Sequence, residues 1–202
     1  MPIRMIYGLE RIAAASGLVI LAPALVGIAL AIGLLSKRSP LVSHTRVGLG
    51  GAPLHMLKFR TMWEIDNYRG PFFAIENVDG VVPALKGPTD PRINSRFAAF
   101  CRCHSLDELP QLFHVARGEM SLVGPRPITR REHQLHYAGC MDEVLSLRPG
   151  ITGLWQVLGR NRLTYARRRR LDLLFVRRLS AGLYLRIMLR SVPRVIRGTG
   201  AC

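Results

Sequence analysis

Residues 12–35 run for twenty-four positions without one charged side chain. A bilayer core takes about twenty apolar residues in a helix, so this stretch is long enough to cross one. Pro23 sits in its middle, and Gly17, Gly27 and Gly33 loosen the backbone around it. Both flanks are basic: Arg4 and Arg11 precede the segment, and Lys37, Arg38 and Arg46 follow it. Basic flanks stay on the cytoplasmic side, and a straight span would strand one of them. A helix broken at Pro23, which dips in and returns, leaves both on the same side. Proline removes one intrahelical bond and presses on the preceding turn, so a bend there has a cause. The flanks therefore favour a re-entrant helix over a full span. A cleaved secretory leader fits poorly, because no small-residue cleavage site follows.

The rest of the 202 residues suffices for one domain with a sizeable core. The expected division is a membrane-embedded unit over 1–38 and a catalytic domain over 39–202. The chain is 49% apolar yet carries a formal charge of +16, and only Lys37, Lys58 and Lys86 among its 29 basic residues are lysine. Arginine grips phosphate through a planar fork, which suits lipid headgroups or nucleic acid. Cys101, Cys103, Cys140 and Cys202 form no secreted disulfide pattern, which points to a reducing setting. The spacing of Cys101, Cys103 and His104 is wrong for the usual zinc knuckles.

Past the apolar segment the pattern changes. Turn-rich Val47-Gly48-Leu49-Gly50-Gly51-Ala52-Pro53 and the alternation near Leu54-His55-Met56-Leu57-Lys58-Phe59-Arg60 predict a short β-hairpin. Residues 64–91 hold many Gly, Pro and Asp punctuators and read as irregular. Helices are expected over 96–104, over 109–115 with an end near Gly118, and over 129–147. The last has Arg130, Arg131, Glu132 and His133 on its wet face. Residues 165–197 are basic and apolar at helical spacing, the composition of helices lying in a membrane interface. The expected fold class is thus α+β and mostly helical. It comprises a re-entrant helix broken at Pro23, a small hairpin and a compact helical catalytic domain with interfacial amphipathic helices.

Asp107 and Glu108 stand side by side in a chain with only thirteen acidic residues. Adjacent carboxylates repel, and folding them into a site raises the pKa of at least one unless cations or donors compensate. Arg126 lies between Pro125 and Pro127, which fix the backbone on either side and would present its fork stiffly. An acid pair, a rigid arginine and a basic surround suggest phosphate chemistry with a divalent metal. The plainer reading is that both carboxylates charge the first turn of a helix.

The run SLDELPQLFHVARGEMSLVGPRP, residues 105–127, resembles the core signature of the bacterial sugar transferase family, the monotopic phosphoglycosyl transferases. Further segments match in order: Lys58-Phe59-Arg60-Thr61-Met62, Asp90-Pro91-Arg92-Ile93, Arg148-Pro149-Gly150-Ile151-Thr152-Gly153, Trp155-Gln156-Val157 and Gly159-Arg160-Asn161. The resemblance implies an enzyme that moves a sugar 1-phosphate from a UDP-sugar to undecaprenyl phosphate, starting exopolysaccharide or glycan assembly. It implies Asp107 as nucleophile and Glu108 as metal ligand or base. Both carboxylates would hold Mg²⁺, while Lys58, Arg102, Arg126 and Arg148 would bind phosphate. The ending Arg197-Gly198-Thr199-Gly200-Ala201 looks most like the hexose-phosphate branch. The implied place is the cytoplasmic face of the bacterial inner membrane, on anionic lipid; homo-oligomerisation stays open. Glu10 departs from the family, which commonly has aspartate there, and Ala22-Pro23 replaces its frequent Ser-Pro.

The rival reading is a basic membrane-surface or nucleic-acid-binding protein without catalysis, supported by the four arginines at 167–170. Against nucleic acid, Trp63, Trp155 and the tyrosines show no interleaving with basic residues for stacking bases. Beside a long apolar segment, anionic lipid is the more economical partner.

Overall fold

The computed structural model describes residues 3–63, 75–77, 93, 95–159 and 163–198. Most of 64–91, together with Arg92, Arg160, Asn161 and 199–201, lies outside the described residues, so the readings made on them are not taken further.

Helix α1 (Ile3–Ser36) holds the apolar segment and is long and apolar enough to cross a membrane by length and composition. It carries Pro23 inside it without interruption. A proline forfeits its own N–H and crowds the preceding turn, but the neighbouring backbone bonds here keep the helical register. The expected break is therefore not an end to the helix. Burial along α1 is uneven. Ile6, Glu10 and Ala14 are buried in its first half and Ile32 and Gly33 near its close, while Val19, Ile20 and Val26 between them are exposed. Both ends rest on the protein and the middle does not.

The predicted hairpin is present. Strands β1 (Leu41–Val47) and β2 (Pro53–Phe59) pair antiparallel from Leu41↔Phe59 to Val47↔Pro53. Gly50 and Gly51 in the connection take positive φ, 61° and 84°, which suits glycine there. A short β3 (Ile75–Asn77), not foreseen, runs parallel to β1. Leu54 and Met56 of β2 pack with Ala14 of α1, and with Val115 and Met120 around the next helical region.

Helix α2 (Arg96–Cys103) leads into a 3₁₀ turn (Leu106–Gln111) and α3 (Leu112–Arg117), which ends on Gly118 at φ 78°. The expected single helix over 129–147 is two, α4 (Arg130–His136) and α5 (Met141–Leu145), parted around Gly139 at φ 83°. His133 does not face water but is buried, and Glu132 closes a capping box with Thr129.

Strands β4 (Ser121–Val123) and β5 (Gly150–Thr152) pair in parallel. This joins the Gly124-Pro125-Arg126-Pro127 and Arg148-Pro149-Gly150 motifs. Gly124 donates to the Thr152 carbonyl at 2.9 Å, and Gly150 to that of Pro125 at 2.8 Å. A Cβ on Gly124 would overlap the Arg148 carbonyl, and one on Gly150 the Gly124 backbone nitrogen. Those glycines allow two backbones to touch.

Helix α6 (Leu154–Leu158) follows, then α7 (Tyr165–Arg177) and α8 (Ala181–Arg197) over the stretch expected to be helical. Ser180 divides the last two, its hydroxyl accepting from Leu183 N–H. Tyr184 and Ile187 of α8 pack with Ile6, Val123, Val157 and Phe175 in a second core, while Leu185, Leu189, Val192 and Ile196 stay exposed in a stripe. Cys101 and Cys140 are free thiols. The close of α8 returns to the end of α2: a Cβ on Gly198 would lie 3.3 Å from the His104 ring.

Candidate active site

Asp107 and Glu108 occupy the 3₁₀ turn between α2 and α3. Ser105, just before the turn, is held at φ 55° and ψ 23°, a left-handed conformation costing a non-glycine residue about 1 kcal/mol or more. The turn sets the two side chains in different surroundings. Asp107 is only 8% exposed, whereas Glu108 is half-buried and accepts from Lys58 Nζ at 2.6 Å. Burial drives the Asp107 carboxyl above the ordinary carboxylate range. Lys58 opposes that rise, the neighbouring Glu108 adds to it, and Arg102 opposes it again.

Lys58 owes its position to β2, which packs against the 3₁₀ turn. Its neighbour Leu57 donates a backbone N–H to His114 Nε2 at 3.1 Å. Since Nε2 accepts, the His114 proton sits on Nδ1 and is donated to Glu119 Oε2 at 2.6 Å. His114 thereby ties the Lys58 strand to the helix that follows the acid pair. Arg102, in the last turn of α2, keeps a buried Nε without a protein acceptor. Four predicted site residues, Lys58, Arg102, Asp107 and Glu108, are thus brought together.

Arg126 and Arg148 make aromatic contacts of their own. Arg126 lies 5.3 Å from the centroid of Trp155, whose other neighbour Arg168 lies at 4.8 Å. Its charge acts on Glu132, Tyr137 and Asp172. Lys58 and Arg102 are the cations that act most strongly on Asp107. Arg148 stacks on Tyr7 of α1 at 4.9 Å and keeps one buried terminal nitrogen without a protein acceptor.

Trp155 does interleave with arginine, contrary to the sequence reading, but the ring is buried and has no face for a base. Of the arginines at 167–170, Arg168 serves this stack and Arg169 donates to the His136 carbonyl at 2.9 Å. Half of the charge run is internal structure.

As a donor set for a metal, the pair supplies hard carboxylate oxygens. Among the described residues no group of three or more His, Cys, Asp or Glu side chains is arranged to hold an ion. Magnesium commonly binds through one or two carboxylates and completes its shell with substrate phosphate and water, so the pair fits that ion.

Glu10 is a residue whose role the sequence did not disclose. It lies buried in α1 and receives Ser121 Oγ–H at 2.9 Å, Leu122 N–H at 3.0 Å and the Tyr184 hydroxyl. One carboxylate oxygen joins α1, β4 and α8 across partners more than a hundred residues away.

The sequence profile described as "Bacterial sugar transferase" matches residues 4–198. The chain belongs to the bacterial sugar transferase family. Its relatives in the family include a UDP-galactose-lipid carrier transferase of Erwinia amylovora, 40% identical over 168 residues, 81% of this chain and 34% of that protein. The exopolysaccharide production protein ExoY of Rhizobium meliloti (strain 1021) is 41% identical over 78% of this chain and 70% of its own length. A UDP-glucose:undecaprenyl-phosphate glucose-1-phosphate transferase of Caulobacter vibrioides (strain ATCC 19089 / CIP 103742 / CB 15) is 39% identical over 93% of this chain and 68% of that protein. The chain therefore spans about a third of the Erwinia protein and about two thirds of the other two.

Proposed function

We propose that this member of the family transfers a hexose 1-phosphate from a UDP-sugar to undecaprenyl phosphate, releasing UMP, in the first membrane step of exopolysaccharide synthesis. The observation that carries the reading is the asymmetric acid pair: a buried, desolvated Asp107 beside a Glu108 already paired with Lys58. A carboxylate poorly stabilised where it stands is a better nucleophile than a solvated one. Asp107 attacks the sugar-linked phosphorus of the donor, the bond to the bridging oxygen breaks, and UMP departs with that oxygen. A phosphate oxygen of undecaprenyl phosphate then attacks the same phosphorus. The Asp107–phosphorus bond breaks, restoring the carboxylate and giving the lipid diphosphate sugar.

Lys58 and Arg102 place positive charge where charge builds on the transferring phosphoryl group. The unpartnered nitrogens of Arg102 and Arg148 are suited to donor phosphate oxygens. Arg126 stiffens the wall behind them through Trp155. When bound by Asp107 and Glu108, Mg²⁺ supplies neutralisation of the diphosphate and steadies the leaving nucleotide.

The membrane reading follows from α1 and α8. At 34 residues α1 would measure about 50 Å if straight, well beyond the roughly 30 Å of a bilayer core. Burial at both of its ends, with an exposed middle around Pro23, suits a helix that dips into the cytoplasmic leaflet and returns. The exposed stripe of α8, with Leu189 68% and Ile196 70% exposed beside Arg186 and Arg190, suits an anionic lipid surface. Together they set the acid pair at headgroup level, on the cytoplasmic side of the inner membrane.

The test uses purified full-length protein, Mg²⁺ and UDP-galactose or UDP-glucose without lipid acceptor. A stoichiometric burst of UMP and a gain of one hexose phosphate on Asp107 are expected. EDTA and Asp107→Asn should abolish both. UMP that appears only after undecaprenyl phosphate is added would replace the covalent route by direct transfer, with Asp107 reassigned as a metal ligand.

A further inference from the structure

A cavity of about 190 Å³ adjoins the acid pair, and Glu108 forms part of its wall. The remainder is chiefly aliphatic: Leu109, Leu112, Leu122, Ile151, Val157 and Val195. Among its polar side chains Thr152, Ser191 and the Gln156 amide N–H have partners, and Ser105 adds a further hydroxyl. Ser191 donates to the Ile187 carbonyl at 2.9 Å, its hydroxyl meets that of Thr152 at 2.8 Å, and the Gln156 amide donates to the Ile151 carbonyl at 3.1 Å. A sugar, with a hydroxyl on nearly every ring carbon, would need more donors and acceptors than this wall offers, since Thr152, Ser191 and the Gln156 amide N–H are engaged with protein. Hydrocarbon needs none.

The cavity is also near both elements with the most exposed apolar surface. Leu112 in its wall reaches α1, lying 4.0 Å from the position of a Cβ on Gly17. Val195, 38% exposed, belongs to α8 and continues the stripe of Leu189, Val192 and Ile196. A cavity of about 150 Å³ lined by aliphatic side chains takes a benzene-sized molecule. One isoprene unit is of that order.

We infer that this cavity binds the isoprene unit next to the phosphate of the lipid acceptor, so that the chain leaves between α1 and α8 and the phosphate stops at the acid pair. The inference rests on the acceptor named in the proposed function. It assigns the cavity to the acceptor and not to the donor sugar. The occupant follows from three features of the wall: its chemistry, the carboxylate at one side, and lipid-facing helices at the other. Catalysis gains register, because the phosphate of a long mobile lipid is fixed by its first hydrocarbon segment.

Two measurements test it. The first needs no turnover: a benzophenone-bearing prenyl phosphate is irradiated with the full chain in detergent, and cross-linked peptides are mapped. Adducts within 105–112 and 191–195 are expected, and competition by farnesyl phosphate should remove them. Adducts confined to other segments overturn the inference. The second compares wild type with Val195→Trp, which fills the cavity from a partly exposed position. The KM for undecaprenyl phosphate should rise at least tenfold while the KM for the UDP-sugar stays within twofold. A rise in donor KM alone would give the cavity to the sugar, and no change in either would empty it of function; both overturn the inference. If Val195→Trp fails to fold by its melting curve, Val195→Ala serves, with an expected two- to fivefold rise in acceptor KM and the same overturning results. Specific cross-linking without UMP release from any donor would sink the proposed reaction and leave the lipid site standing. UMP release with adducts elsewhere would do the reverse.

Discussion

Glu10→Ala should be among the most damaging single substitutions outside the acid pair. Glu10 Oε2 takes three donors, and their losses differ. Ser121 Oγ–H already has a second acceptor, the Val123 carbonyl at 3.0 Å, and can turn wholly to it. Leu122 N–H and the Tyr184 hydroxyl would be left without the carboxylate. Each buried group left unsatisfied costs about 1–3 kcal/mol, which gives about 2–6 kcal/mol in all. A protein of this size holds only about 5–15 kcal/mol in total. At 2–4 °C per kcal/mol, the melting temperature in detergent should fall by roughly 5–20 °C. Glu10→Gln should cost less. Its carbonyl can keep the three donors, while its NH₂ enters the position of Oε1, which has no partner. The cycle with Tyr184→Phe separates the clamp from general damage: removing both partners should cost less than the sum, by about 0.5–3 kcal/mol. A fall of under 2 °C for Glu10→Ala, or strict additivity with Tyr184→Phe, would refute the claim that this carboxylate fastens α1 to the domain.

Lys58→Met should shift the acid limb of the pH profile for UMP release upward. Lys58 holds the buried Asp107 carboxyl down and the proposed attack needs Asp107 ionised, so an unmoved limb would remove Lys58 from the site's electrostatics. Asp172 is pushed up to about 7 by burial, with Tyr137 donating to it at 2.9 Å. A carboxyl raised in the fold binds its proton more tightly there than in the unfolded chain, whose value is about 4. Stability should thus fall as pH rises from about 4 to about 7. Asp172→Asn, which can still accept from Tyr137, should melt progressively higher than wild type across that range; a constant difference would contradict the sign. For topology, cysteines at the exposed Arg4 and Lys37 should both react with a reagent confined to the cytoplasmic side, and labelling of only one would indicate a full span. Pro23→Leu, which restores a backbone donor in the bilayer, should shift some molecules toward spanning.

The sequence disclosed features whose cause is local. The hairpin came from glycine-rich turn residues and alternation, the end of α3 from Gly118, and the apolar helix from an absence of charge. What it concealed depends on distant partners. The β4–β5 pairing brings two glycine motifs into backbone contact across an intervening pair of helices, and neither motif alone looks like a strand. Gly139 divides an otherwise helical run, because a positive φ there is as easy for glycine as a negative one. Glu10 looked like a minor departure from its family. Its neighbours in sequence give no sign of Ser121, Leu122 or Tyr184. The acid pair was legible because two carboxylates are conspicuous in so basic a chain, but its compensating cations were only partly so. Lys58 and Arg102 act on Asp107, and Arg126 acts on Glu132 and Asp172.

That division of the arginines bears on how the site is kept electrically usable. Were Arg126 also set against Asp107, three cations around one buried carboxylate would hold it as an ion pair, stable and unreactive. Arg126 instead shares its charge with Glu132 and Asp172 and leans on Trp155. Asp107 keeps the influence of Lys58, already partly spent on Glu108, and of Arg102, whose Nε has no protein acceptor. The carboxylate is desolvated, incompletely balanced and close to a cation with an open donor. Such a group is held ionised less firmly than a fully paired carboxylate would be. The parallel strand pair accounts for the separation: it fixes Arg126 and Arg148 at neighbouring strand ends, one turned toward Trp155 and the other toward Tyr7 of the membrane helix. The same glycines that let the strands touch thereby set where these two cations lie.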